Sequence, residues 1–405
     1  MKTPLTVLKS SKDFKFLWFG FTLTVFGGWF TTIAVNLYIW NSYESAILSS
    51  LSLAISMIPT VIMGPLLGGI IDRVNKKIIG IAVCIMSCII LLIPIIFPNI
   101  YAICLFNFLN GIISCIKYPW INSFIPLVVR AEDLDNANSS ISFSKTSGQL
   151  IMPLLSGVLF ATTSANMLYV LNIIFLILAL FSYFQLSDNL NNGDNDKEAD
   201  TKYNRIKSLK LIIENKTVLM VCLILAIMLF LDGAMDLILL VVTKNNLQKS
   251  DSLYGAITTI QGLGMTLASI SAPKWIGKAK KKKIQLLYIL GFIKIVNIFV
   301  ISHSPNYLFL VFFVFIEAYF WISMTIIENT ILQSAIPSTY RGAVYAIYGS
   351  LCWLASFLGT LVIGSFAEKI ELSNAMTIEA ILSAMFLLII YFLVKKKTDM
   401  LIDLK

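Results

Sequence analysis

Twenty consecutive residues from Ile78 to Phe97, IIGIAVCIMSCIILLIPIIF, carry no charge. A helix of that length crosses the hydrocarbon of a bilayer, and comparable runs recur along the 405 residues. In hydrocarbon the backbone must satisfy its own hydrogen bonds, which apolar runs of this length do as helices. Only 13% of the residues are charged, against about a quarter in soluble domains, so these runs have no solvated shell to hide beneath. The predicted fold class is an all-α integral membrane protein.

Apolar windows place twelve transmembrane helices near Phe16–Trp40, Ala46–Ile70, Ile78–Phe97, Tyr101–Ile125, Ser139–Ala161, Leu168–Phe184, Thr217–Val242, Tyr254–Ile276, Ile284–Ile301, Tyr307–Ile331, Val344–Phe366 and Ala375–Val394. The segment SDNLNNGDNDKEADTKYNRIKS, Ser187 to Ser208, has no apolar periodicity and reads as a flexible linker. It separates an N-terminal six-helix bundle (1–186) from a C-terminal one (211–405), with residues 187–210 between them. Ile125-Pro126 with Arg130 recurs as Ile336-Pro337 with Arg341, and Gly148 recurs as Gly359, all at an offset of 211. A shared offset points to two pseudo-symmetric repeats, as in secondary transporters.

Lys and Arg outside the spans, with Lys274 at the very end of the eighth counted among them, number 25 on one side and three on the other (Lys244, Lys249 and Lys369). The contrast predicts a multi-pass cell-membrane protein with both termini and the linker in the cytoplasm. The first apolar run is too long for a signal-peptide core and is expected to remain as the first helix.

The net charge of +9 would suit nucleic acid only with a basic face or a binding motif. The bases instead lie between spans, so no nucleic-acid partner is expected. The six cysteines sit in apolar segments and read as small hydrophobes. His303 alone builds no metal site, and GLGMTLAS lacks the lysine of a phosphate loop. No nucleophile, base and oxyanion arrangement emerges. Neither an enzyme nor a cofactor or metal is expected.

The second span closes on GPLLGGIIDRVNKK, Gly64 to Lys77. Gly68 and its neighbours offer a bare surface for a second helix, and the Asp72 carboxylate, one turn on, suits the free N–H groups of a facing helix N-terminus. The eleventh span, entered at Arg341, is the natural partner. This reading makes Gly68, Asp72, Arg73 and Arg341 a cytoplasmic gate, while the bases also serve as orientation signals. In the fifth span Gly148, Pro153 and Gly157, with Gly359 at the repeat-related position of Gly148, suggest a bent helix at a close interface.

Ionisable residues within spans are functional hypotheses by default. Asp232 and Asp236 lie four residues apart, Glu317 lies near the middle of its span, and Glu328 lies close to the cytoplasmic end. These four are the candidates for proton coupling; the competing reading pairs them structurally with Lys117, Lys145 or Lys294, which also lie in apolar segments. Asn36, Gln149, Gln261 and Asn329 are candidates for lining a substrate pocket, and Trp29, Phe30, Tyr319 and Trp321 for apolar walls.

The sequence resembles the major facilitator superfamily, and within it the macrolide-efflux-like drug exporters. The resemblance rests on GGIIDRVNKK (Gly68 to Lys77), IPLVVRAEDLDNANS (Ile125 to Ser139) and GQLIMPLLSG (Gly148 to Gly157). It implies alternating access and antiport of protons against an amphipathic small molecule such as a macrolide antibiotic, hence drug efflux and antibiotic resistance, by a monomer. It also implies gate roles for Gly68, Asp72 and Arg73 and antiporter-helix positions for Pro153 and Gly157. Asn75, Met152 and Gly28 depart from the pattern, the last standing where many relatives carry an acid. Export or facilitated passage of siderophores, lipids or small peptides would use a similar cavity. A non-transporting membrane sensor or assembly subunit is the alternative of another class.

Overall fold

The structure, a computed structural model, describes residues 11–130, 133–187, 209–336, 338–367 and 369–398. Of residues 64–73, 118, 123, 134–136, 279–281, 333–334, 338–343, 346 and 393–398 it describes the backbone alone. The helices, in chain order, are α1 Lys12–Tyr43, α2 Ala46–Arg73, α3 Lys76–Ile96, α4 Ile100–Val128, α5 Leu134–Thr162, α6 Ala165–Phe184, α7 Lys216–Asp232, α8 Met235–Val241, α9 Asp251–Ile276, α10 Lys283–Ser302, α11 Tyr307–Ala335, α12 Ser338–Ala367 and α13 Leu372–Thr398.

Short polar residues between the apolar runs start these helices. The side chains of Ser11, Ser45, Asn75, Asn99, Asn215 and Asn306 each accept a backbone N–H from the first turn that follows, satisfying donors that the ladder leaves open. On α3, Ile78, Ile85, Ile89, Leu92 and Ile96 form an exposed apolar stripe at helical spacing. Such a stripe is unfavourable in water and suits hydrocarbon.

Among the described residues ten helical segments are long and apolar enough to cross a membrane, α7 and α8 with the π-helical turn Val242–Asn246 counting as one. The protein is therefore an all-α, multi-spanning membrane protein. The predicted fifth and eighth spans correspond to α5 and α9, which are long helices but are not among these ten. Their polar residues, Lys145 and Gln149 on α5 among them, lower the hydropathy.

The chain divides into two compact units. Unit 1 takes the residues up to Ala199 together with Gln248–Gly262; unit 2 takes Asp200–Leu247 and the residues from Leu263 onward. In unit 1, α1 packs along α6 and α5, α2 along α4, and α3 along α4 and α6. Trp120 anchors the core, buried, with Nε1 donating to the Lys76 carbonyl at 2.7 Å and its ring 5.4 Å from Tyr183. In unit 2, α7 packs with α12, α10, α11 and α13, and α10 with α11 and α13.

The predicted seventh span is broken in the structure. α7 ends at Asp232 and α8 begins at Met235. Gly233, at the break, has its carbonyl engaged by the Thr360 hydroxyl of α12, and a side chain on Gly233 would collide with the Ser356 backbone. Gly359 in turn sits against the Phe230 carbonyl. These paired close approaches hold α7 against α12 and require a residue without Cβ.

Candidate functional site

Unit 1 contains an open cavity of about 520 Å³, within the range of small-molecule sites. Thr24, Gly28, Thr32 and Asn36 of α1 line one wall; Asn107, Asn110, Ser114 and Lys117 of α4 line another; Lys145 and Gln149 of α5 and Asn172 of α6 add to the polar surface, with apolar side chains between them. Positions 107, 110, 114 and 117 fall at alternating steps of three and four, which puts them on one helical face. That polar face on an otherwise apolar helix was the sequence signal for the cavity. Asn107 Nδ2 donates to Ser52 Oγ at 2.6 Å, Asn172 Nδ2 to Thr31 Oγ1 at 2.7 Å, and Asn36 Nδ2 to Tyr254 Oη at 3.2 Å. These bonds hold the amides in orientation at the wall.

Two of the four predicted pocket residues, Asn36 and Gln149, line this cavity. Asn329 is engaged in unit 2, accepting from Tyr345 Oη at 3.2 Å and donating to the Thr325 carbonyl, and Gln261 is partly buried on α9. Among the aromatics, Trp29 lines the cavity, whereas Phe30 is buried edge-on to Phe175. Tyr319 is tied to Ser271 and Trp275 by hydrogen bonds.

Gly28 faces open space: nothing lies within 4 Å of the place its side chain would take. The neighbouring Gly27 is tightly packed against Asn172. Lys117 and Lys145, considered from sequence as partners for the acids, both lie beside Phe21. Their ammonium groups lie 5.6 and 5.9 Å from its ring centroid, at distances that permit cation–π attraction.

The second constellation lies in unit 2. Lys294 of α10, 1% exposed, donates to Asp232 Oδ1 at 2.8 Å and to Glu317 Oε1 at 2.6 Å, and its ammonium lies 4.2 Å from the Trp321 ring centroid. Sequence reading offered Lys294 as one of three possible partners for these acids; the structure joins it to Asp232 of α7 and Glu317 of α11 together. Two carboxylates and one ammonium leave one negative charge when all are ionised, so one added proton makes the cluster neutral. Asp232 has a side chain 20% exposed, against 1% for Glu317, which makes it the more accessible carboxylate. Asp236 lies in the first turn of α8, close enough to Asp232 to feel its charge. Glu328 is buried, with the Tyr348 hydroxyl hydrogen-bonded to it.

A buried acid that sequence reading passed over is Glu379 of α13. It is 3% exposed, and among the described residues neither carboxylate oxygen has a hydrogen-bond partner. It lay in the twelfth predicted span with no motif to single it out.

On α5, Gly157 and Pro153 meet Gly255 backbone to backbone, and Gln149 meets Gly262; the Leu154 amide donates to Thr259 Oγ1 at 3.1 Å. Gly148 packs on Val25 and Phe26. The side chains of Gly68, Asp72, Arg73 and Arg341, the predicted gate, lie outside the described residues.

The sequence profile described as Major Facilitator Superfamily matches residues 17 to 360. The chain belongs to the Major Facilitator Superfamily. It is accordingly a secondary transporter of that fold and not an enzyme. No curated protein matches it by sequence. Among solved structures, the chain is similar in fold to the nucleoside transporter NupG, with a TM-score of 0.74 at 14% identity over 95% of this chain and 98% of that one. A POT family transporter in complex with 5-aminolevulinic acid gives 0.73 at 13% identity over 95% and 96%. A bacterial homologue of the iron transporter ferroportin, in an inward-facing state, gives 0.72 at 15% identity over 93% and 98%.

Proposed function

We propose that this chain moves a small, hydrogen-bonding solute across the cell membrane by alternating access, with protons as the coupling ion. Short peptides, siderophores and polar lipids are the classes that suit it, by export or by facilitated passage. The observation that carries this reading is the cavity of unit 1, whose walls set amides, hydroxyls and two lysines among apolar side chains such as Val35, Leu91 and Phe106. A chiefly apolar macrolide would leave many of those polar groups desolvated without partners, which is costly. Solved structures of similar fold include transporters of nucleosides and peptides, which adds weight to a polar solute.

Proton coupling is assigned to the Asp232, Lys294 and Glu317 cluster. Protonation of either carboxylate frees Lys294 to favour the other, and so provides two arrangements that a moving proton interconverts. Asp236 and Glu328 are secondary candidates. In the same proposal the chain works as a monomer of two six-helix bundles, 1–186 and 211–405, with residues 187–210 and both termini in the cytoplasm. Gly68, Asp72, Arg73 and Arg341 form the inner gate, and Gly148, Pro153, Gly157 and Gly359 serve the helix interfaces.

Macrolide efflux is the second reading, favoured by the loop Ile125 to Ser139. Counterflow in sealed proteoliposomes separates the two. Labelled dipeptides, a hydroxamate siderophore and a macrolide are each tested for exchange against the same unlabelled solute. Exchange of a polar solute without the macrolide is expected. Exchange of the macrolide alone selects drug export, and no exchange by folded protein favours the sensor or assembly role.

A further inference from the structure

The cavity of unit 1 carries two cationic side chains at one end. Lys117 and Lys145 reach its lining from α4 and α5, and the charge of Lys145 bears on Lys117. Among the described residues no Asp or Glu lines the cavity, and Gly28 leaves open space where a carboxylate could have stood. A transmembrane lysine facing a water-filled cavity marks a ligand pathway more often than a structural need, and like charges held together lower their energy by gathering an anion.

The cavity also has a direction. Lys117 and Asn107 lie ten residues apart on α4, and Thr24 and Asn36 twelve apart on α1, about 15 to 18 Å along a helix. Lys117 and Lys145 flank Phe21, beyond the Thr24 end, while Asn36 and Asn107 mark the other end; Gln149, Asn110 and Ser114 lie between. A lysine presents a point charge with freely turning donors rather than a planar fork, so it selects charge and not the shape of one oxyanion.

We propose that the transported solute is a small organic anion, its terminal carboxylate or phosphate seated between Lys117 and Lys145 and its body hydrogen-bonded to the amides beyond. This rests on the reading of the cavity as the solute site and adds the charge of the ligand. It disfavours cationic amines, which the two lysines repel.

The test uses the full chain, purified in detergent, and thermal unfolding with a matched panel: an acetylated dipeptide, its C-terminal amide, the corresponding amine, and a phosphate monoester of similar length, each at graded concentration. The anions are expected to raise the melting temperature with half-saturation at least tenfold below that of the amide, and the amine is expected to have no effect. A response to the dipeptide but not the phosphate, or the reverse, identifies the oxyanion. K117M and K145M should each weaken the anion response tenfold or more, K117R should keep it, and G28D should weaken it by placing a carboxylate in the open space beside the ligand. Unliganded melting and monodispersity of each variant show that it is folded.

The proposal is overturned if no anion stabilises the protein, if amide and acid act alike, or if K117M and K145M respond as wild type. An amide that binds and is exchanged across vesicles leaves the transport reading standing while the anion site falls. An anion that binds through the lysines but is never carried across vesicles keeps the site and removes transport.

Discussion

Lys294 bonded to two carboxylates in a buried setting shows how one residue makes two roles inseparable until they are tested apart. Removing the cation with K294M leaves two buried acids facing each other, and breaking such a group costs about 3 to 5 kcal/mol; yield and melting temperature in detergent should fall sharply. E317Q keeps a hydrogen-bonding side chain and leaves Lys294 with Asp232. Folded protein should persist, and the dependence of transport on pH should flatten because one protonatable partner is gone. An unchanged pH profile in E317Q and D232N would make the cluster structural. Asp72 belongs to the same scale: D72N should insert normally and reduce turnover by weakening one gate state, which initial rates at matched protein amounts would reveal. The intramembrane acids and lysines were legible in the sequence, and pairing among them was one of its readings, but which of the three lysines would take which acid was not. A carboxylate on α7, an ammonium on α10 and a carboxylate on α11 meet only through the packing of three helices.

At the scale of elements, hydropathy and capping residues announced the helices, and glycine placed their contacts. The sequence identified Gly148, Pro153, Gly157 and Gly359 as interface residues, and the structure seats Gly157 on Gly255 and Gly359 on Phe230. The break between α7 and α8 was hidden, because hydropathy stays high on both sides of Gly233 and the contact that takes up its carbonyl lies on another helix, in Thr360. G359A should cost about 1 to 3 kcal/mol through overpacking against the Phe230 backbone. T360V, which removes one hydrogen bond from a buried carbonyl, should cost about 1 to 3 kcal/mol. Thermal unfolding of both variants beside the surface control L354A checks the order, and a G359A protein as stable as wild type would show that α7 and α12 can separate freely. α5 and α9 teach the converse lesson. Their polarity lowers the hydropathy signal and follows from what they face, for Lys145 and Gln149 belong to a cavity wall.

For the molecule as a whole, the account places solute recognition in the cavity of unit 1 and proton binding in the charged cluster of unit 2. The cavity was half legible: Asn36 and Gln149 were named from sequence, while the face of Asn107, Asn110, Ser114 and Lys117 was overlooked although its spacing was on display. The most direct measurement uses the open space at Gly28. Sealed proteoliposomes containing wild type or G28W are compared for accumulation of the acetylated dipeptide, or whichever polar solute shows counterflow, with and without an imposed pH gradient. The account predicts gradient-driven accumulation by wild type and at least a tenfold loss in folded G28W, whose indole fills the cavity. Equal accumulation by both proteins, or none by wild type across the panel, would contradict it.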